Sequence, residues 1–179
     1  MTGCWPLPAA PRILPSLGTP GSFWEHREDR RHCGIDLYAP EGSEVASVAE
    51  GRVLVVGLFT TPEQVPYWNH TYHLLVCNHD RVLCRYGELR DAVVKAGQEV
   101  RAGQLIGHVG TVLNREKIDH RAPGYVRRLR QENRCSMLHF EVLDSLPPPR
   151  APYRGGNWFG GGSDVPWRNP VLYLKNGSI

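Results

Sequence analysis

The sequence predicts an all-β domain of antiparallel strands, a small barrel-sandwich. Three observations carry that expectation. Nineteen glycines and 15 prolines punctuate 179 residues that contain few helix-forming blocks. Short apolar runs recur between turn residues: Glu44 to Val48, Gly51 to Phe59, Tyr72 to Cys77, Arg81 to Tyr86, Gln104 to Val109 and Leu138 to Leu143. A near repeat, Lys95-Ala-Gly-Gln98 followed by Arg101-Ala-Gly-Gln104, places a tight turn before each of two successive apolar strands, as in a chain that folds back on itself.

Taken in order, residues 1–31 are rich in proline, glycine and serine. They read as an irregular N-terminal arm that wraps the domain, with Trp5 and Phe23-Trp24 as its anchors. Residues 32–179 form the β domain. Two segments interrupt its strand rhythm. Thr60 to His70 carries Pro62 and Pro66 and reads as a loop. The segment from about 113 to 135 is an insertion whose Tyr125, Val126 and Leu129 lie at helical spacing after Pro123, which suits a short helix. The tail holds Pro147 to Pro149 and the glycine-rich Gly155-Gly156 and Gly160 to Gly162; without a following Lys-Ser/Thr, these glycines are a flexible loop and not a phosphate cradle.

Composition excludes several classes. A net charge of +3 gives no general nucleic-acid or membrane surface, and Arg127, Arg128 and Arg130 read as the solvated face of the short helix. No stretch approaches the roughly 20 apolar residues of a membrane span. The first residues lack a basic head followed by an apolar stretch, so no secretory signal is read. Asn69-His70-Thr71 is formally a glycosylation sequon and is read as coincidence in that setting. Five cysteines show no metal spacing; Cys77 and Cys84 flank a turn at hairpin separation and fit either a disulfide or two buried thiols.

The chemistry concentrates in two places. In Arg31-His32-Cys33-Gly34-Ile35-Asp36, His32 and Asp36 would be about 13 Å apart on a regular strand, but a bend at Gly34 could bring imidazole and carboxylate to one ion. The plainer alternative is a turn-capping Asp beside a surface His. In Ser136-Met-Leu-His-Phe-Glu-Val142, Leu138, Phe140 and Val142 share one face and Met137, His139 and Glu141 the other, a pattern ordinary for the edge of a barrel. The neighbours of His139 would hold its ring still, which suits a third ligand. Two His and one Asp leave a coordination position open, the arrangement of catalytic zinc.

Together with Ala39-Pro-Glu-Gly42, Gly51-Arg-Val53, Tyr86-Gly-Glu-Leu89, the Gly-Gln block ending at Gly107 and Leu138-His-Phe-Glu141, the order of these motifs resembles the lysostaphin and LytM type zinc endopeptidases. The likeness runs from Trp5 to Leu174. It implies a duplicated hybrid (barrel-sandwich) fold, zinc held by His32, Asp36 and His139, and peptidoglycan cross-link peptides as substrate. It also implies a cell-envelope setting outside the cytoplasm if a leader was removed. The family carries His where this chain has Glu88 and Met137, and a short glycine-rich turn where it has the 113–135 insertion.

Two functions therefore stay open. Glu88 can serve as the base of a slower or differently tuned hydrolase, whereas Met137 offers no donor to an oxyanion, a loss worth on the order of a hundredfold to a thousandfold in rate. The alternative is a zinc-binding relative that holds cell-wall peptide, glycan or a partner protein without cutting. A phosphocarrier of barrel-sandwich type is disfavoured because Ala39-Pro-Glu-Gly42 follows His32 instead of preceding it, and a biotinyl or lipoyl carrier because no Lys sits at a hairpin tip. His120 in the insertion is a candidate for the vacant donor place or a solvated loop residue. His79 and His108 read as surface or structural, and His26, His70 and His73 have no evident partner.

Overall fold

The computed structural model describes residues 4–28, 30–146, 156–157 and 166–176. Its elements in chain order are β1 (His26–Arg27), β2 (Arg30–His32), β3 (Ile35–Tyr38), β4 (Glu44–Ala46), β5 (Gly51–Thr60), β6 (Thr71–Asn78) and β7 (Leu83–Ala92). After these come β8 (Glu99–Val100), β9 (Leu105–Thr111), α1 (Gly124–Gln131), β10 (Ser136–Leu143), β11 (Gly156–Asn157), β12 (Trp167–Arg168) and α2 (Pro170–Asn176). Pro147 to Pro149 and Gly160 to Gly162 lie outside the described residues.

A nine-stranded sheet runs β12-β10-β9-β7-β6-β5-β8, with β3 also on β10 and β4 on β9; β1, β2 and β11 form a small second sheet. Every pairing described is antiparallel. Register shifts interrupt β5, β6, β7 and β9, and such bulges bend and twist strands so that a sheet curls. The fold is all-β with a curled half-barrel sheet and few helices, as the sequence predicts. The repeated Ala-Gly-Gln turns are built alike. Gly97 and Gly103 take φ +87° and +78°, and the Gln98 and Gln104 side chains each accept from the backbone N–H three residues back, Lys95 and Arg101.

The main core lies inside the curl, with Ile35, Val53, Leu74, Tyr86, Ile106, Leu138 and Phe140 among its buried residues. Leu7 from the N-terminal segment is buried in it, and the Ala46 N–H donates to Pro6 O at 2.9 Å. A second cluster joins Trp68, Val112, Leu113, Ile118, Val126, Leu129 and Met137. It seats the insertion, whose helix α1 buries Val126 and Leu129 as their spacing predicts.

Strand β10 departs from expectation. The two-faced pattern suggests a barrel edge, yet β10 pairs with β3, β7, β9 and β12 and is buried on both faces from Met137 to Leu143. Its polar side chains, His139 and Glu141, face a charged network, so their polarity marks partners and not water. All five cysteines are free thiols, and the register sets Cys77 opposite Leu83 and Cys84 opposite Val76.

Candidate metal centre

His32 closes β2 and Asp36 lies in β3, with the chain bending at Gly34 between them. A Cβ at Gly34 would fall 2.5 Å from Phe140 O and 3.0 Å from the His139 ring, so only glycine lets this bend pack against β10. Opposite it, His139 pairs in register with Asp36. The three side chains are 0, 4 and 2% exposed for His32, Asp36 and His139.

Each is oriented by a partner on its far side. His32 donates Nδ1–H to Ser22 O at 2.8 Å, which leaves Nε2 bare. His139 donates Nε2–H to Glu141 Oε1 at 2.7 Å, which leaves Nδ1 bare. Asp36 Oδ2 accepts from the Arg27 guanidinium at 2.5 Å, which leaves Oδ1. Those three free atoms converge: Nε2 to Oδ1 3.0 Å, Nδ1 to Oδ1 3.0 Å, and Nε2 to Nδ1 3.1 Å. Three lone pairs facing one another in a buried space repel unless a cation sits among them. Tetrahedral zinc, with bonds of about 2.0–2.1 Å, sets its ligand atoms about 3.3 Å apart, so the donor set fits a metal with a few tenths of an ångström of adjustment. Without metal the same crowding draws a proton: burial opposes it, but bonds to Asp36 and Glu141 push His139 up to about 10. His32 is lowered by burial and by the Arg27 charge, and Asp36, despite burial, is held well below the usual carboxylate range by His32 and Arg27.

Around the donors lies a supporting layer. Glu141 Oε2 pairs with Arg85 Nε at 3.1 Å and accepts from Trp167 Nε1 at 3.4 Å. Arg27 is braced by Glu25 at 3.1 Å, and its guanidinium lies 5.2 Å from the Tyr125 ring centre. Phe59 stacks near His139 with ring centres 5.8 Å apart. Sequence reasoning missed Glu141, Arg85 and Arg27 as partners of the ligands. The spacing held a signal for Glu141 alone, since positions 139 and 141 share a strand face.

Glu88 reaches the same place by a different route. Alternation puts it with Tyr86 and Cys84, but those two point into the core. A bulge sets Tyr86 opposite Leu74 and Leu89 opposite Tyr72, three residues against two, and Glu88 takes φ +61°. That turns Glu88 onto the opposite face, where it lines a cavity of about 30 Å³ with Asp36, His139 and Met137. Its Oε2 is buried without a hydrogen-bond partner, and burial, then the Asp36 charge, push the carboxyl up to about 8. Met137 is buried against Val126 and Leu129. His120 is exposed and does not line this cavity. His108 pairs with Asp91 at 2.6 Å, His79 with Glu50 at 3.3 Å and His70 with Glu63 at 3.7 Å, while His73 faces Arg85 at 3.4 Å.

Residues 30–145 match the sequence model of peptidase family M23. The chain belongs to that family. M23 is a zinc-dependent family acting on peptidoglycan peptides. Over 106 residues, 59% of this chain, the sequence is 31% identical to the cell division protein DipM of Caulobacter vibrioides, and the match spans 15% of that protein. The fold is similar to the catalytic domain of the antimicrobial peptidase lysostaphin from Staphylococcus simulans, with TM-score 0.54, 18% identity and 87% of each chain covered. It is also similar to a zinc containing peptidase from Vibrio cholerae, with TM-score 0.51 and 25% identity over 83% of this chain and 41% of that one. Membership in M23 leaves the phosphocarrier reading without support. No helix among the described residues is long and apolar enough to cross a membrane.

Proposed function

We propose that this chain is a zinc metalloendopeptidase that hydrolyses peptide bonds in peptidoglycan cross-links, with His32, Asp36 and His139 holding the metal and Glu88 acting as base. The observation that carries the reading is the convergence of three bare donor atoms beside a carboxylate oxygen that has no other partner. Bound zinc supplies a Lewis acid and a water of lowered pKa. Glu88 takes a proton at its buried Oε2 and returns it to the departing amine. A cation among the donors favours the ionised form of Glu88, which burial and Asp36 otherwise oppose. Arg27 offsets the Asp36 charge, and Glu141 keeps the His139 Nδ1 facing the metal.

One observation favours a second reading. The donors are almost fully covered, the cavity beside them holds about 30 Å³, and Met137 lines it with an apolar side chain. A protein that binds cell-wall peptide without cutting would also look like this. The two part in a single experiment. Purified protein is expected to carry about one zinc per chain, lost in Asp36→Ala, and to release new amine termini from peptidoglycan or pentaglycine in a chelator-sensitive manner. Tight binding to peptidoglycan with no new amines selects the binder, and a wild-type protein that folds and takes up no zinc removes both.

A further inference from the structure

Beyond the metal cavity lies a second, larger space. A pocket of about 630 Å³ opens between the N-terminal segment and helix α1, a volume in the range of ligand sites. Arg27, Tyr125 and Leu129 line both spaces, so the pocket adjoins the candidate metal centre directly.

The polar groups of its wall are unequally used. Its three carboxylates are already engaged: Glu25 accepts from Gly21 N–H at 2.9 Å and Arg27 at 3.1 Å, Glu28 from Gly124 N–H at 2.9 Å, and Glu132 from Arg134 at 3.1 Å. Of its guanidiniums, Arg27 is held by Asp36 and Glu25, but the other two are little used. Arg31 makes one long bond, to Trp24 O at 3.4 Å, and Arg128 has no acceptor within hydrogen-bond range among the described residues. The wall therefore has surplus N–H donors in a planar fork geometry that suits a carboxylate. Trp24, on the same wall, holds φ +63°, a backbone state rare for a bulky residue, kept by its N–H bond to His32 O at 2.8 Å. Strain of that kind gathers at ligand sites, and here it links the pocket wall to a candidate ligand of the metal.

We infer that this pocket holds a free carboxylate of the bound peptide, so that the chain selects acidic peptides over neutral ones. The inference rests on the peptidase reading for the identity of its ligand as a peptide, but binding alone tests it. The probes are N-acetylated tetra-alanine with a free C-terminal carboxylate and the same peptide as its carboxamide, titrated calorimetrically into the zinc-loaded full chain. The acid is expected to bind about tenfold or more tightly, the scale of a charge-assisted guanidinium pair. The double substitution Arg31→Gln with Arg128→Gln is expected to erase that preference without lowering the unfolding midpoint, since both side chains are exposed. Equal affinity for the two probes, no binding of either, or a preference that survives the double substitution overturns the inference. Preferential binding of the acid together with no new amine termini from peptidoglycan or pentaglycine keeps it and removes the peptidase reading. Equal binding of the two probes together with chelator-sensitive cleavage of peptidoglycan or pentaglycine does the reverse.

Discussion

The floor and the roof of the candidate metal centre are made by different physics. The floor is β2, β3 and β10, where alternation on paired strands and one glycine bend bring His32, Asp36 and His139 together. The roof is β1 with helix α1, where the Arg27 guanidinium lies against the Tyr125 ring, and Val126 and Leu129 cluster with Met137 of β10 below. Floor residues are placed by backbone hydrogen-bond register, although β3 and β10 come from opposite ends of the domain. Roof residues meet through side-chain packing, Arg27 on Tyr125 and Val126 and Leu129 in the apolar cluster, with no ladder of hydrogen bonds between β1 and α1 among the described residues. The comparison also explains Met137. It stands where the family carries a polar His, and its side chain is buried in the apolar cluster that seats the insertion. The apolar side chain at position 137 and the helix it lies beside thus form one packing unit.

Four substitutions or conditions test that division, beginning with the largest expected effect. If Glu88 is the base as proposed, Glu88→Gln leaves the floor intact and cleavage is expected to fall by about a hundredfold to ten-thousandfold while zinc content holds. Unchanged cleavage with zinc retained would mean another group takes the proton. Glu141→Gln acts on the floor through His139 alone. Zinc affinity, measured by competition with a chromophoric chelator, is expected to drop about ten- to a hundredfold.

Met137→His restores the family residue within the altered roof. Burying an imidazole beside Val126 and Leu129 is expected to cost about 1–3 kcal/mol in urea unfolding, with no gain in cleavage. A faster, equally stable variant would show that helix α1 leaves room for the polar side chain.

The last test is the pH dependence of the metal-free protein. Glu88 lies at its ordinary 4.5 in the unfolded chain and at about 8 when folded. Below pH 4.5 both states are protonated. As pH rises from there, the unfolded chain releases the proton and the folded chain keeps it, so stability drains away until the folded carboxyl ionises near 8. In chelator, wild type should lose stability between pH 5 and pH 8, a trend that Glu88→Gln weakens. Parallel profiles for the two proteins would place Glu88 in a wetter setting than its buried oxygen implies.

Much of the floor was legible because strand alternation and the glycine bend are local, although the pairing of β3 with β10 is not. The apolar runs located the strands, and helical spacing located α1 at Gly124–Gln131. The sequence ended one strand at Tyr86, whereas β7 continues to Ala92. The bulge at Gly87-Glu88 carries it through and reverses the face of Glu88, and no alternation rule foresees an extra residue in a ladder. The charged network was equally hidden, because Arg85 meets Glu141 through strand register across more than fifty residues.

By itself, then, the sequence determined the all-β class, the motif order, and the residue types and spacing able to hold a metal. These depend on periodicities of two and on a glycine between two donors, which neighbouring residues specify. Only the tertiary structure decided which lone pairs are left facing the centre, which way Glu88 points, and that Arg27 and Tyr125 stand over the site. Those outcomes depend on what each side chain meets on its far side, and the distant chain that supplies the partner is set by folding and not by sequence neighbourhood.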